Sequence, residues 1–260
     1  MIVTLTTDFG ASEYVAAMKG VLLSMNQDVQ IVDVRHDIAP GSVAEGAFVL
    51  YTAAPHFPFA IHIGVVDPGV GTTRRGLAVV CEGAIFLGPD NGLLMPAAKR
   101  MGIKDVRELA NPAYWRHPVH PTFHGRDVFA PVAGHLSVGA KVADLGPSIR
   151  DPVDLDFGTA EVKDDGWRAR VIYVDRFGNV VTNVPGADAE SRWSDRAAAR
   201  LVAGSREFSV PFLRTYGMAD QGSLLLTVGS HGYLEIAANR GNAAQLTGLR
   251  LLDPVTIRDP

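Results

Sequence analysis

Residues 60–71 read AIHIGVVDPGVG. From Ala60 to Val66 the run is small or apolar apart from His62, and Pro68 and Gly69 then end it. Such a short, largely apolar run is a strand, and its near-continuous hydrophobicity is that of a strand covered on both faces. Asp67 follows directly, so it sits at the strand's carboxyl end. Pro68 and Gly69 build a tight turn there, and Gly71 permits a close backbone approach.

The same texture extends in both directions. Upstream, Ile2 to Thr6 is a β-rich run followed by Asp8-Phe9-Gly10. Ser12 to Met25 carries Tyr14, Ala17, Met18, Val21 and Leu22 at helical spacing, and Gln30 to Val34 is a second β run. Ser42-x-x-Glu45 is a capping-box pattern that opens a helix to about Thr52. Downstream, Leu77 to Cys81 and Ala84 to Leu87 form a hairpin around Glu82-Gly83, and a helix runs from about Asp127 to Leu136. Strands separated by helices predict a mostly parallel sheet with helices on both faces. Ligands of such sheets sit at the carboxyl ends of the strands, the edge that holds Asp8 and Asp67.

Near residue 145 the pattern changes. Leu145-Gly146-Pro147 opens a stretch rich in Asp and Pro. Short β runs follow at Trp167–Val174, Val180–Asn183, Glu207–Val210, Ser223–Val228, Tyr233–Ile236 and Leu249–Ile257. Close spacing of short strands predicts an antiparallel barrel or sandwich. The expected organisation is an α/β domain over 1–150, a linker over 151–164, and a smaller antiparallel β-barrel-like domain over 165–260.

Composition narrows the function classes. With 47% hydrophobic residues and a net charge of −4 in 260 residues, the chain is not disordered, and the balance shows no nucleic-acid footprint. A single cysteine, Cys81, excludes a disulfide framework and fits a reducing compartment. The N-terminus carries no basic region, and no apolar run reaches the roughly 18 residues of a membrane span, so the expectation is a soluble, cytoplasmic protein.

Several motifs carry polar groups suited to chemistry. Asp8 in Thr7-Asp8-Phe9-Gly10 is either part of a strand-to-helix turn or a carboxylate that accepts from a ribose diol; nothing upstream supplies the loops of a kinase. Asp67 and an arginine of Arg74-Arg75 flank a loop that could fold back on itself, as a surface ion pair or as part of a site. Gly88-Pro89-Asp90-Asn91-Gly92 is a turn by its chemistry. His124, in Phe123-His124-Gly125-Arg126-Asp127, either pairs with a carboxylate such as Asp127 or orients water. His117, His120 and His124 lack metal-ligand spacing, so no metal is expected. Asp175 and Asn179 flank a loop in the second half, with Phe177 between them able to stack on a planar ring. No dinucleotide-binding glycine pattern, P-loop or nucleophile elbow is present.

Taken in order, TLTTDFG, VVDPGVGTTRR, GPDNGLL, FHGRDVFAP, DRFGNVVTN and the stretch from Ser230 to Asn239 resemble the S-adenosyl-L-methionine hydroxide adenosyltransferases, relatives of the fluorinase and chlorinase enzymes. The resemblance covers nearly the whole chain. It implies a two-domain homotrimer, with substrate held between one subunit's N-domain and a neighbour's C-domain. It implies displacement of L-methionine from S-adenosyl-L-methionine by water, giving adenosine, with no cofactor. The family's catalytic Asp, Arg and His match Asp67, Arg74 and His124. Asp8 then binds the ribose, Asp175 and Ser230 the methionine portion, and Phe177 and Asn179 the adenine. Halogenating relatives lack the histidine and carry an extra N-domain loop. His124 and the short stretch after Gly92 therefore favour water over halide. The two alternatives are a halide-using 5′-halo-5′-deoxyadenosine synthase and a nucleoside-binding protein without turnover.

Overall fold

Ile2–Thr7 (β1) is buried beyond its first residue because it lies inside a sheet, paired in parallel with Gln30–Arg35 (β2) on one side and Ala60–Val65 (β3) on the other. The computed structural model describes residues 1–193, 195 and 197–260. The chain forms two compact units, Met1–Asp156 and Phe157–Pro260. The expected linker is divided between them. Asp151 and Asp154 pair with Arg75 and Lys99 of the first unit, whereas Phe157 and Ala160 are buried in the second.

In the first unit, the hairpin of Gly76–Cys81 (β4) and Ala84–Pro89 (β5) joins β3 through β5, and Ile103–Glu108 (β6) closes the far edge. The order is β2-β1-β3-β5-β4-β6. Among the described residues, β4 runs antiparallel to both its neighbours and the other strands share one direction, so the sheet is mixed but mostly parallel. Strand β6 has no signature in the local sequence. It is an edge strand, and Lys104, Asp105, Arg107 and Glu108 erase its apolar signal.

Every residue of β3 is buried, as its sequence predicts. On one face Ile61, Ile63 and Val65 share a core with Met18 and Leu22 of Glu13–Met25 (α1) and with Ala133 and Leu136 of the later helix. On the other face Gly64 lies against Leu50 of Val43–Ala53 (α2) and against Leu93 and Leu94, just before Met95–Arg100 (α3). That later helix, Ala130–Ser137 (α4), follows a π-helical turn over Gly125–Phe129, so the helical stretch starts earlier than expected.

The capping box at Ser42 does not form. The Ser42 N–H already donates to Ala39 O at 2.9 Å. Glu45 turns instead to the Ala39 N–H at 3.1 Å and to Arg35 at 3.2 Å.

The second unit is antiparallel. Its strands are Glu161–Lys163 (β7), Gly166–Val174 (β8), Val180–Pro185 (β9), Ala198–Ala203 (β10), Arg206–Pro211 (β11), Leu224–Val228 (β12), Tyr233–Ala238 (β13) and Pro254–Arg258 (β14). The order is β11-β10-β14-β8-β9-β13-β12, with β7 on β8. A bridge between Phe212 and Leu226 draws the two ends together into a nearly closed barrel. Helices Gly186–Arg192 (α5) and Ala243–Thr247 (α6) lie between strands. The last strand starts later than expected, because Leu252 adopts φ 73° in a turn whose Asp253 N–H donates to Arg250 O.

Candidate active site

The carboxyl ends of β1 and β3 adjoin, and from β1 the chain leads to β2 on one side while β3 lies on the other. Such a switch point leaves a crevice above the sheet. Asp8 and Asp67 stand at its two sides, and the Asp8 N–H reaches Val65 O at 3.4 Å. The crevice is a cleft of about 410 Å³, walled by Asp8, Phe9, Tyr14, Asp67, Phe123 and His124 among others.

The loop from Asp67 is held by its own turns. Val70 N donates to Asp67 O and Thr72 N to Gly69 O, both at 3.2 Å. Gly71 has φ 77°, and a Cβ there would fall 2.3 Å from the Pro121 carbonyl oxygen. Only glycine lets this loop press against the segment that leads into His124.

The loop folds back as its spacing suggested. Arg74 Nε donates to Asp67 Oδ1 at 2.9 Å and Oδ2 at 3.1 Å, and Nη2 also bonds Oδ2. Arg74 Nη1 donates to Arg75 O at 3.2 Å, and the guanidinium lies 5.4 Å from the Phe129 ring centroid. Nη2 reaches His124 Nδ1 at 3.0 Å. An arginine has donors only, so Nδ1 of His124 accepts, the ring is neutral, and its proton is on Nε2. Burial, and then the Arg74 charge, hold the His124 pKa below the usual histidine value, against the pull of Asp67 and Asp127. His124 does not bond Asp127, whose carboxylate is occupied by Arg116, Arg126 and the His120 N–H.

The adjacent arginine points elsewhere. Arg75 binds buried Asp90 at 2.7 Å and Asp151 at 3.0 Å, which ties residues 151–153 to the sheet edge. Asp8 accepts from the Gly41 N–H at 2.8 Å. Beneath it Thr7 Oγ1 and His36 Nδ1 are 2.8 Å apart, and His36 pairs with Asp33.

One part of the wall escaped the reading of the residues. Phe9, Tyr14 and Phe123 pack as a cluster of rings, with centroids 5.2–6.1 Å apart. The helical spacing puts Tyr14 with the apolar residues of α1, yet it is half exposed and lines the cleft. The signal was its place in the first turn of a helix that leaves a strand's carboxyl end. Among the described residues no group of three or more His, Cys, Asp or Glu side chains is placed to hold a metal.

The second-unit residues occupy two places. Asp175 Oδ1 accepts from the Phe177 and Asn179 N–H groups, both at 2.8 Å, and Oδ2 from Asn179 Nδ2 at 2.9 Å. This closes the β8–β9 loop and leaves Phe177 75% exposed. Ser230 is exposed in the β12–β13 turn. Val180 pairs with Ile236 and Pro185 with Tyr233, so Ser230 sits at the opposite end of β9 from Asp175. Between them, buried Glu235 accepts from Tyr216 Oη at 2.8 Å and lies 3.1 Å from His231 Nε2. The Tyr216 pKa is raised, by burial and then by Glu235.

Family models match in both units: the SAM hydroxide adenosyltransferase N-terminal domain over residues 3–146 and its C-terminal domain over residues 169–256. The chain belongs to the SAM hydroxide adenosyltransferase family. Within this family it is 42% identical to a Salinispora arenicola protein named (R)-S-adenosyl-L-methionine hydrolase, over 94% of this chain and 92% of that one. It is 34% identical to a Methanocaldococcus jannaschii protein of the same name, over 98% and 95%. A fluorinase of Nocardia brasiliensis is more distant, at 28% over 94% and 92%. Among solved structures, an uncharacterized conserved protein from Thermotoga maritima superposes with a TM-score of 0.94 at 34% identity, covering 99% of this chain and 100% of that one.

Proposed function

We propose that this chain hydrolyses S-adenosyl-L-methionine to adenosine and L-methionine, by attack of water on C5′. The observation that carries the reading is the bonded chain Asp67–Arg74–His124, whose two ends face one cleft beside Asp8. The names of the family's closely related members support the same substrate.

The substrate brings its own electrophile. An O–C5′ bond forms, the C5′–S bond breaks, and sulfur keeps the electron pair as a neutral thioether. One proton of the water is released. The protein has to bind the nucleoside, orient one water in line with the C–S bond and keep other water away. His124 donates from Nε2 to one lone pair of that water. Asp67 accepts from its O–H, offsets the positive charge that develops on oxygen, and takes the proton that the water loses. The second lone pair faces C5′. Arg74 fixes Asp67 and His124 against each other and keeps the imidazole neutral. His124 thus holds the water and does not act as base, because its other nitrogen is occupied by Arg74.

Asp8 accepts from the ribose hydroxyls, and the Phe9–Tyr14–Phe123 rings shield the reacting carbon. On the family resemblance Asp175 binds the amino-acid portion, with Asn179 and the exposed Phe177 ring serving the adenine; Ser230, at the other end of β9, does not share a ligand group with Asp175 of the same chain. The chain acts as a homotrimer, on the family resemblance.

The test is turnover in H₂¹⁸O. Purified protein incubated with S-adenosyl-L-methionine should release methionine and adenosine labelled at its 5′-oxygen. Bound nucleoside without product, or a chloride- or fluoride-dependent 5′-halo product in place of adenosine, would overturn the reading.

A further inference from the structure

We propose that Asp127 is the positioning residue for His124, acting by closing residues 120–127 into one rigid turn. The inference deepens the function proposed above and rests on it for the role of the imidazole. Asp127 is fully buried. A buried carboxylate is costly unless its oxygens are satisfied by charged or strong donors. Here Oδ1 accepts from Arg126 Nε at 2.7 Å and Arg116 Nη1 at 3.1 Å. Oδ2 accepts from Arg126 Nη2 at 2.7 Å and from the backbone N–H of His120 at 2.9 Å.

The backbone of the same residue completes the enclosure. Asp127 N donates to Phe123 O at 3.1 Å, and Asp127 O accepts from Arg116 N at 2.8 Å. His124 therefore lies inside a loop whose two sides, His120 and Phe123, are both bonded to Asp127. Phe123 N in turn donates to His120 O at 3.1 Å, which cross-links the loop.

The π turn matters for the same reason. It begins directly after His124 and ends at Phe129, whose ring lies beneath Arg74. One turn, capped by His124, thus carries the carboxylate that anchors the imidazole and the ring that supports its guanidinium partner. Within Gly125–Phe129 only Asp127 bonds back to the 116–120 segment through its side chain and its backbone together. If it loosens, the His124 ring is free to turn away from Arg74, and the Nε2–H tautomer is no longer imposed.

Two measurements on Asp127→Asn separate positioning from mere stability. The first is steady-state kinetics with S-adenosyl-L-methionine: kcat should fall about 10- to 100-fold, as for small misplacements of a reacting group, with KM unchanged. The second is the long-range ¹H–¹⁵N spectrum of the His124 ring, assigned through its loss in His124→Gln. The native protein should show the Nε2–H tautomer and the variant a mixture of both. A ring signature that stays native in Asp127→Asn overturns the proposal, whatever happens to stability. Should that variant not fold, Arg116→Gln removes one donor from a half-exposed position and is read the same way. A native kcat and native ring signature there also overturn it. If the native protein releases no adenosine, the hydrolase reading fails, while the ring spectra alone still decide whether Asp127 positions His124.

Discussion

His124 illustrates how much one contact decides. Because Arg74 Nη2 faces its Nδ1, the ring can donate to a ligand but cannot take a proton from it through that nitrogen. A glutamine offers a donor and an acceptor on one side chain but no basic nitrogen. His124→Gln should therefore keep turnover well above that of His124→Ala, which should fall by about 10²-fold or more. Equal loss in both variants would show that proton uptake is required of the imidazole. The arginine pair divides just as sharply. Arg74→Ala should abolish adenosine release. Arg75→Ala should leave the rate near native but destabilise the fold by about 3 kcal/mol, since it strands the buried Asp90 charge. A thermal melt alongside a rate assay checks both halves. Gly71→Ala should lower the rate on the order of 10²-fold, because its methyl would drive the Asp67 loop off Pro121. A native rate would mean that this contact does not set the geometry.

At the scale of elements, β3 carries a group that the chemistry does not use. His62 is 1% exposed, stacks on Phe86 with centroids 4.7 Å apart, and lies 2.8 Å from Thr4 Oγ1. Burial lowers its pKa from 6.5 to about 4. The folded state therefore favours the neutral ring. The stability that this ring contributes is complete above pH 6.5 and is lost as pH falls from there toward 4, at roughly 1.4 kcal/mol per pH unit. Urea unfolding of the native chain and of His62→Leu across this window should differ in slope by about one proton. Parallel slopes would show that His62 is not the group responsible. Local sequence marks β3 as a strand but not this burden, because a histidine in an apolar run looks the same whether it is paired or desolvated.

For the whole molecule, the first unit provides a cleft with four of the expected residues on or just behind its walls, and the second provides a nearly closed barrel with exposed loops. The proposed homotrimer predicts a solution mass three times the 27.8 kDa of one chain by light scattering. A monomer that releases adenosine at the full rate would dismiss the requirement for assembly. Among the described residues no helix is long and apolar enough to cross a membrane.

Local chemistry was enough to place Asp8 and Asp67 after their strands, the β4–β5 hairpin, the antiparallel second half and the order of the motifs. Those features depend on neighbours in the chain, such as an apolar run, a proline or a glycine, which determine conformation over a few residues. Edge strand β6 and the Ser42 cap went astray for a related reason. Charged side chains hid the first, and the backbone of residue 39 had already taken the N–H that the second required. The residues alone left open which arginine turns inward, and only the family resemblance pointed to Arg74; that His124 meets Arg74 rather than Asp127, and that Tyr14 faces a cleft instead of a core, were decided only in three dimensions. Each depends on groups distant along the chain: Arg74 and His124 are 50 residues apart, Arg75 and Asp151 are 76 apart, and Tyr14 and Phe123 are farther apart still. They come into contact only because a twisted sheet and the helices packed on it bring their loops to one edge.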